Sequence, residues 1–340
     1  MGIKLKFGVK FKATGVFKDC ESKISRNLEN GLNFTKIRIK INEKISRIRR
    51  IKMVVNACKN NNERVTTYRD LVKEVTAGFD TKQAISDIKA WLEGYCVSSG
   101  MKKAVIGISG GKDSTVVAKL LVDVLGAENV YGLLMPNGEQ KDLSDAIRVV
   151  EMLGIKHEVL NIRPAYDAMV NVLGGIEKVS PEADINIAPR IRMTALYTYG
   201  QTHGCRVAGT DNLSEKTLGY FTKYGDGGYD FNVLGNFTSL EVMVIGEELG
   251  LPLELVYKTP DDGLSGMSDE EKLGILYTDM HNFLRHKYDK VDGAVQLKIQ
   301  NMARRAEHKL CMPPSPVFYS KYYGDEPMCT GHCETCTLHK

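Results

Sequence analysis

The sequence predicts an α/β fold with a doubly wound parallel sheet and flanking helices. Three observations support this fold class. An apolar run at 104–108 is followed by a glycine turn and a helical pattern, apolar runs and helical patterns then alternate as far as residue 164, and a further helix and strand follow at NIAPRIRM and CRVAGT. Strands and helices that alternate at these spacings are typical of parallel strands joined by crossover helices.

The segment KAVIGISGGKDST, residues 103–115, predicts the central strand, a glycine turn and a helix N-terminus. After the turn, apolar residues recur along one helical face from Val116 to Leu125. Backbone N–H groups and the positive end of a helix dipole would converge at the turn, which favours an anion and most often a phosphate. The alternative is an ordinary glycine turn with Lys112 and Asp113 in solvent, but the whole hexapeptide SGGKDS directly after a strand favours the phosphate site.

The loop differs from two better-known phosphate loops. It is not GxGxxG, and it is not the Walker A pattern, because Asp113 stands where Ser or Thr is required. A carboxylate at this point suits Mg²⁺, which takes hard oxygen ligands.

Around this loop the remaining elements follow from hydrophobic periodicity and from Gly and Pro positions. In parallel sheets ligands lie beyond the carboxyl ends of the strands, where SGGKDS and MPNGEQ both fall. The elements predicted in chain order are a helical pattern over 66–95 broken at Gly78 and closed by Gly94 and Gly100, a strand over 130–135, a helix over 142–153 stopped by Gly154, a strand over 156–162 and a helix from Pro164.

The composition is that of an ordinary globular chain. Charged residues make up 26% and hydrophobic residues 43% of 340 residues, enough for one large or two small α/β domains. No run of 18 apolar residues predicts a membrane span, and the lysine-rich start does not resemble a signal peptide. The eight cysteines are scattered, so we expect a reducing, cytoplasmic location.

The charge is divided unevenly along the chain. Residues 1–52 carry 15 Lys and Arg against 4 Asp and Glu, whereas the remainder carries 31 against 38. The first segment could be an edge hairpin or a basic arm for nucleic acid or membrane phosphates. The alternative, which we favour, is an extension without function that precedes a start at Met53. We therefore expect neither a nucleic acid nor a membrane partner.

A second group of motifs lies between residues 186 and 230. It contains PRIRM, GTDNLSE and FTKYGDGGYD, and EHK follows near the end of the chain. With SGGKDS, these five motifs in this order resemble the ammonia-dependent NAD synthetases of the ATP pyrophosphatase (PP-loop) superfamily. SGGKDS alone would also fit GMP synthetase, argininosuccinate synthetase or tRNA-modifying enzymes, but KYGDGG after GT-x4-E would not. The resemblance covers about 65–316, leaves 317–340 as a Cys/His-rich tail, and implies an adenine nucleotide alpha hydrolase-like sheet.

The resemblance implies three sets of site residues. Taken singly, each of them is usually an ordinary surface or turn residue, but the order of the motifs favours the functional interpretation. Arg and Lys suit a dinucleotide, which carries two phosphates and a carboxylate. The implied ATP-binding residues are Gly107, Ile108, Ser109, Gly110, Gly111, Lys112, Asp113, Ser114 and Thr210. The implied Mg²⁺ ligands are Asp113 and Glu215, and the implied deamido-NAD contacts are Arg190, Lys223, Asp230, His308 and Lys309.

The implied reaction is the last step of NAD biosynthesis. ATP adenylates the nicotinate carboxylate of deamido-NAD and releases pyrophosphate, and ammonia then displaces AMP from the NAD-adenylate. No side chain suggests itself as a general base. Ammonia is the expected nitrogen donor, because about 65 residues before the core leave no room for a glutaminase domain and neither Cys20 nor Cys58 lies in a nucleophile motif. The resemblance also implies a homodimer.

Two departures from the family pattern keep alternatives open. Ser239 stands where many members have a phosphate-binding lysine, and Asp261 stands where a small hydroxyl residue often contacts ATP. The lost positive charge could come from Lys112 or from a lysine elsewhere. One alternative is another PP-loop ATP pyrophosphatase, such as a tRNA-modifying enzyme. The other is a nucleotide-binding relative without activity.

The tail packs three cysteines and two histidines into eleven residues, CTGHCETCTLH. Three thiolates and a histidine could hold a structural or regulatory zinc, with Cys311 as a further candidate ligand. However, the spacing is not that of paired CxxC knuckles, and all five residues lie on one short segment. A tail with reduced thiols is therefore the favoured interpretation. The candidate ligands are Cys329, His332, Cys333, Cys336 and His339.

Overall fold

The computed structural model describes residues 61–140, 142–258 and 269–313. Its centre is a five-stranded sheet in the order β3-β2-β1-β4-β5, and every pair of neighbouring strands is parallel. The predicted α/β class with a parallel sheet is confirmed. The strands are β1 (Ala104–Gly107), β2 (Val130–Leu134), β3 (Lys156–Val159), β4 (Arg206–Gly209) and β5 (Phe231–Asn232).

Helices flank the sheet. Short 3₁₀ turns at Ala127–Asn129 and Tyr288–Lys290 accompany them. Across the ranges given above, no helix combines the length and the apolar character needed to cross a membrane. The helices are α1 (Asn61–Val75), α2 (Thr81–Ser99), α3 (Lys112–Leu125), α4 (Leu143–Leu153), α5 (Arg163–Gly174), α6 (Pro181–Ile185), α7 (Ile187–His203), α8 (Leu213–Leu218), α9 (Ser239–Glu248), α10 (Leu253–Val256), α11 (Asp269–Leu273), α12 (Tyr277–Leu284) and α13 (Gly293–Leu310).

The boundaries correct the sequence predictions in two places. Gly94 lies inside α2, and the helix ends only at Gly100, whose φ of +67° forms a left-handed cap. The third strand ends at Val159 instead of residue 162, although the N–H groups of Leu160 and Ile162 still donate to the carbonyls of Leu134, at the end of β2, and Pro136. The two-residue strand β5 was not predicted, because so short a segment has no periodicity to detect.

The core lies against both faces of the sheet. On one face, the apolar side of α3 packs on β1 and β2 with Val116, Val117, Leu120 and Leu121 completely buried. On the other face, α7 packs on β1 and β4 and contributes Met193 and Leu196 to a buried apolar cluster. Because α3 and α7 pack on opposite faces of β1, they fix the position of the turn that follows this strand.

The strand order reverses between β1 and β4. From β1 the chain moves outward to β2 and β3, then returns to the opposite side for β4 and β5. At such a switch point the connections leave neighbouring strands in opposite directions, which opens a crevice beyond the carboxyl ends. The crevice here is bounded by the glycine turn after β1 and by Thr210 after β4.

Candidate functional site

The turn after β1 is held closely against the neighbouring strand and helix. The N–H of Ile108 donates to the carbonyl of Leu133 at 2.9 Å. Gly110 has a φ of +80°, and a Cβ placed there would lie 2.8 Å from the carbonyl oxygen of Asp142 and 3.0 Å from the amide nitrogen of Ala146. Only glycine fits this position, because both the backbone conformation and the space exclude a side chain.

Hydroxyl groups brace the turn from inside. The hydroxyl of Thr115 donates to the carbonyl of Gly111 at 2.8 Å, and the hydroxyl of Ser109 accepts from the N–H of Gly111 at 3.2 Å. No side chain caps the start of α3, so its first-turn N–H groups have no side-chain acceptor. An anion is the natural acceptor for such groups.

Asn212 joins the two predicted magnesium ligands. Its side-chain amide donates to Asp113 Oδ1 at 3.1 Å, and its backbone N–H donates to Glu215 Oε2 at 3.0 Å. Its own Oδ1 accepts from the N–H groups of Ser214 and Glu215. This reciprocal capping box starts α8 and orients Glu215 towards Asp113.

The electrostatics of this region are unbalanced. Burial, and then the charge of Asp113, hold the pKa of Glu215 well above its usual range, although Lys112 acts in the opposite direction. Burial together with Asp226 and Asp113 raises the pKa of Asp211 to about 8, and burial raises the pKa of Asp226. The ammonium of Lys112 lies 2.6 Å from Asp113 Oδ2. Lys112, Lys216 and Lys309 oppose these shifts only in part, and further positive charge would stabilise the ionised carboxylates.

A cavity of 590 Å³ opens at the switch point, lined from the ends of β1, β2 and β4. Most residues predicted to bind ATP and magnesium lie on its wall, and Gly110 and Ser114 support the turn from behind. The predicted residues on the wall are Gly107, Ile108, Ser109, Gly111, Lys112, Asp113, Thr210 and Glu215.

Four residues predicted to bind the dinucleotide form a separate group outside this cavity wall. Arg190 Nε donates to the carbonyl of Lys223 at 3.3 Å, and the ammonium of Lys223 donates to the carbonyl of His308 at 2.5 Å. Lys309 donates to the carbonyls of Gly219 and Phe221, both at 2.7 Å. We call these residues, Arg190, Lys223, His308 and Lys309, the basic cluster.

The fifth predicted contact, Asp230, is not brought into the basic cluster. Its Oδ2 accepts from the N–H of Val207 at 2.8 Å and its Oδ1 accepts from the hydroxyl of Tyr197 at 3.3 Å. These bonds tie the segment before β5 to β4 and to α7. The substrate roles of all five residues stay predictions.

Comparison with known proteins bears on this geometry. The model of the family described as NAD synthase matches residues 84–313, more than half of the chain. The chain belongs to the NAD synthase family.

Individual members of the family are similar to this chain over nearly their whole length. The NH(3)-dependent NAD(+) synthetase of Archaeoglobus fulgidus is 36% identical over 239 residues, which are 68% of this chain and 96% of the relative. That of Thermococcus kodakarensis is 38% identical over 254 residues, 70% of this chain and 98% of the relative. The five-motif resemblance read from the sequence is confirmed.

Solved structures show the same fold. An NMN synthetase from Francisella tularensis superposes with a TM-score of 0.66 and 34% identity over 71% of this chain and 100% of that one. The NH3-dependent NAD synthetase from Campylobacter jejuni, in complex with a nitrate ion, gives 0.60 and 28% over 70% and 100%.

Sequence reasoning missed four polar residues of this NAD synthase site. Asn212 was detectable, because an Asn three residues before a Glu at a helix start is a capping-box signal. Asp226, Arg192 and Lys258 also line the cavity. Their positions depend on how the segments that follow α6, α8 and α10 are placed against the sheet. No local sequence pattern predicts this placement.

The two departures from the family pattern differ in what the structure describes. Ser239 is buried at the first position of α9, where its N–H donates to the hydroxyl of Ser214 at 3.1 Å. Asp261 lies outside the described residues. A cavity-lining cation is present in Lys258, which bonds Asp142 and Asp145, the latter at 2.8 Å. Lys258 therefore joins Lys112 as a candidate for the charge that Ser239 does not supply.

Proposed function

We propose that the chain catalyses the ATP-dependent amidation of deamido-NAD with ammonia, giving NAD, AMP and pyrophosphate through an NAD-adenylate. One observation carries the proposal: in a chain of the NAD synthase family, the switch-point cavity joins the phosphate turn, Thr210 and the facing carboxylates Asp113 and Glu215. Another PP-loop activity is not favoured, because the relatives matched over nearly their whole length are NAD(+) synthetases.

ATP would bind with its phosphates on the turn. The first-turn N–H groups of α3 lack a side-chain cap, and Lys112 is buried with its ammonium beside Asp113. These groups would hold phosphate oxygens by charge-assisted hydrogen bonds. Thr210, at the end of β4, would contact the nucleotide from the other side of the crevice.

Asp113 and Glu215 fit a magnesium ion bound together with the phosphates. Their carboxyl groups face each other through Asn212, and burial followed by the charge of Asp113 raises the pKa of Glu215 although Lys112 opposes the shift. Within the described ranges, no group of three or more His, Cys, Asp or Glu side chains could hold a metal ion alone. Two carboxylates completed by phosphate oxygens and water are what Mg²⁺ uses at such sites. Bound there, it would neutralise the charge that develops on pyrophosphate.

The basic cluster would hold the second substrate. The Arg190 side chain donates to a carbonyl of Lys223, and the Lys223 side chain donates to a carbonyl near the end of α13. The ammonium of Lys309 is held by two further backbone carbonyls. The charges of these three side chains suit the phosphates and carboxylate of deamido-NAD. Asp230, held by Val207 and Tyr197 before β5, would contact deamido-NAD from outside the basic cluster.

The chain's part in the reaction is positioning. A carboxylate oxygen of deamido-NAD forms a bond to the α-phosphorus of ATP while the bond from that phosphorus to the bridging oxygen breaks, and the electron pair leaves with pyrophosphate. Ammonia then bonds the acyl carbon, loses a proton and displaces AMP. The turn fixes one reactant and the basic cluster the other, which converts an encounter into an oriented contact.

The test is product analysis with purified protein. ATP, Mg²⁺, deamido-NAD and ammonium should give NAD, AMP and pyrophosphate in equal amounts, and glutamine in place of ammonium should give far less NAD. Pyrophosphate release that does not depend on deamido-NAD would indicate another ATP pyrophosphatase. No turnover with a nucleotide that still binds would indicate an inactive relative.

The likeness to an NMN synthetase gives a second candidate substrate, the mononucleotide. Its amidation would use the same phosphate turn and the same chemistry. Initial rates with deamido-NAD and with nicotinate mononucleotide, each alone and then in competition, separate the two. We expect the dinucleotide to be preferred; a higher kcat/KM for the mononucleotide would reassign the substrate.

A homodimer is part of the proposal. The edge strand β3 is exposed along its whole length, and α5, the next helix in the chain, buries none of its residues. Val172 is 67% exposed and Ile176 is 83% exposed. Exposed apolar side chains such as these are typical of an interface between copies. Light scattering should report a dimer, and Val172→Asp with Ile176→Asp should give monomers with the native circular dichroism.

We propose three segments with different roles: a basic extension at 1–52, the catalytic domain at 65–316 and the tail at 317–340. The domain includes α1 from Tyr68 onward, since Arg69 and Lys73 bond Glu247 of α9 and lower its pKa to about 2. Deletion of 1–52 should leave NAD formation unchanged. A dead truncation would place the extension in the fold or the dimer.

The candidate zinc ligands of the tail lie outside the described residues, except Cys311, which is exposed. Elemental analysis of untagged protein tests the zinc hypothesis, and a tenth of an equivalent of zinc or less with titratable thiols rejects it. The cytoplasmic location also stays an expectation drawn from the cysteine pattern.

A further inference from the structure

Arg192 is a cavity-lining cation that the proposed mechanism has not yet used. It lies on α7, partly buried, and its Nε donates to the carbonyl of Met135 at 2.9 Å. Among the described residues, no carboxylate lies within ion-pair distance of its guanidinium. Burial lowers its pKa, and Asp226 is the one acid that opposes this effect. Burying a guanidinium without a paired acid costs desolvation free energy, and binding of an anionic ligand would offset that cost.

Arg190 and Arg192 serve different faces of α7. Residues two apart on a helix point in directions about 200° apart. Accordingly, Arg190 reaches the carbonyl of Lys223 in the basic cluster, while Arg192 reaches the end of β2 on the cavity wall. The helix therefore stands between the site proposed for the phosphates of ATP and the site proposed for deamido-NAD.

We propose that Arg192 binds the α-phosphate of ATP and stabilises the charge on its oxygens during adenylation. The proposal rests on the proposed function. The α-phosphorus is the atom at which the two substrates meet, and Arg192 extends into the cavity from the helix that separates their sites. The first turn of α3 and the Asp113–Glu215 pair lie where the departing phosphates would bind. The planar fork of a guanidinium offers two parallel donors to phosphate oxygens, which a lysine ammonium does not reproduce.

In the step that Arg192 assists, one bond forms and one breaks. The substrate carboxylate oxygen bonds the α-phosphorus, the phosphorus–oxygen bond to the β-phosphate breaks, and both electrons leave with pyrophosphate. Negative charge is spread over the non-bridging oxygens meanwhile. A fixed cation within reach of these oxygens lowers the barrier more than it strengthens ground-state binding.

The test compares Arg192→Gln and Arg192→Lys with Arg206→Gln. Arg206 is an exposed arginine at the amino end of β4, away from the carboxyl ends of the strands, so Arg206→Gln should behave as wild type. Arg192→Gln should reduce kcat by about 100-fold or more with the KM for deamido-NAD within about threefold, and Arg192→Lys should recover little. Calorimetry with α,β-methylene-ATP and Mg²⁺ should show weaker binding to Arg192→Gln.

Three results would overturn the proposal. They are wild-type analogue binding and kcat in Arg192→Gln, an effect confined to the KM for deamido-NAD, and an equal loss in Arg206→Gln. Thermal unfolding is followed in parallel; if Arg192→Gln does not fold, rescue of Arg192→Ala by added guanidinium replaces it, and absence of rescue in a folded protein counts against the proposal. Analogue binding requires no turnover, so it decides the role of Arg192 even if the wild type makes no NAD.

Discussion

Helices α8 and α9 begin with the same local motif and differ in what faces the glutamate of that motif. Asn212 and Glu215 form a capping box at α8, and Thr238 and Glu241 form another at α9. Glu241 faces Arg285, whose guanidinium donates to its two oxygens at 2.7 and 2.5 Å. Glu215 faces another acid, Asp113, through Asn212.

This difference distinguishes Glu241, whose charge stabilises the fold, from Glu215, whose charge we propose binds a cation. At α9 the charge is neutralised within the chain, and His281 completes the network with a 2.9 Å bond to the hydroxyl of Thr238. At α8, burial and then the charge of Asp113 raise the pKa of Glu215, and Lys112 only partly opposes this rise. A chain that buries unbalanced acids loses stability, and a bound cation restores it. The ion pair at α9 is complete within the chain, and we propose that a bound cation completes the charges at α8.

The largest expected effect is on catalysis at the incomplete box. Asp113→Asn and Glu215→Gln should each raise the barrier by about 2–4 kcal/mol, or tens to hundreds-fold in kcat, because each removes an anionic ligand for the metal. Steady-state NAD formation measures this. Asp87→Asn, at an exposed position on α2, is the matched control and should keep its rate. Full activity in both site variants would reject the metal assignment.

The next effect is on stability at the complete box. Arg285→Met should lower the free energy of unfolding by about 2–3 kcal/mol, because it leaves Glu241 buried without its cation; partial exposure of Arg285 keeps the value below that of a fully buried pair. Urea denaturation measures the loss. Arg305→Met, at an exposed position on α13, should change little. Equal stability of the two variants would show that the pair contributes nothing.

A smaller effect is the pH dependence of the free energy of unfolding, which should differ between groups beside the two boxes. Asp211 directly precedes the α8 box. The pKa of Asp211 is raised to about 8 in the folded chain, so the folded state holds that proton more tightly than the unfolded state. Stability should therefore fall as pH rises from about 4 to about 8. Asp211→Asn should flatten this slope and gain about 1 kcal/mol or more at pH 8 relative to pH 5. An unchanged slope in urea titrations at both pH values would contradict the assignment.

His281, which bonds Thr238 of the α9 box, should change the pH dependence of stability in the opposite direction. Burial lowers its pKa to about 4, so the unfolded chain takes up the proton first. Its contribution to stability should increase as pH rises from about 4 to about 6.5. His281→Asn should weaken that rise without altering the slope between pH 7 and pH 8, a result that the same titrations would show.

The sequence predicted the elements that carry strong local signals. The strand before the phosphate turn, the helix after it and the parallel arrangement all follow from apolar periodicity and glycine positions, and all are confirmed. Gly94 misled the prediction, because a glycine inside a helix costs only about 1 kcal/mol, which the packing of α2 on α3 and α9 overrides.

The site was only partly predictable, for a physical reason. Asp113, Thr210 and Glu215 belong to continuous motifs that a single sequence displays. The approach of Asp211 and Asp226 depends on the pairing of β4 with β5 and on the path of the segment between α8 and β5, which no local pattern encodes. Likewise, the motif RIR could not tell which arginine faces the cavity. That depends on how α7 is rotated against the sheet.

The most direct measurement is the free energy of unfolding of Glu215→Gln and Glu241→Gln, by urea denaturation of the ligand-free protein at pH 8. The two substitutions are chemically identical and sit at the same position of the same capping motif. If the α8 box is left incomplete for a cation, Glu215→Gln should be at least as stable as wild type although it is inactive, while Glu241→Gln should lose about 2 kcal/mol. Equal destabilisation by both would contradict the account.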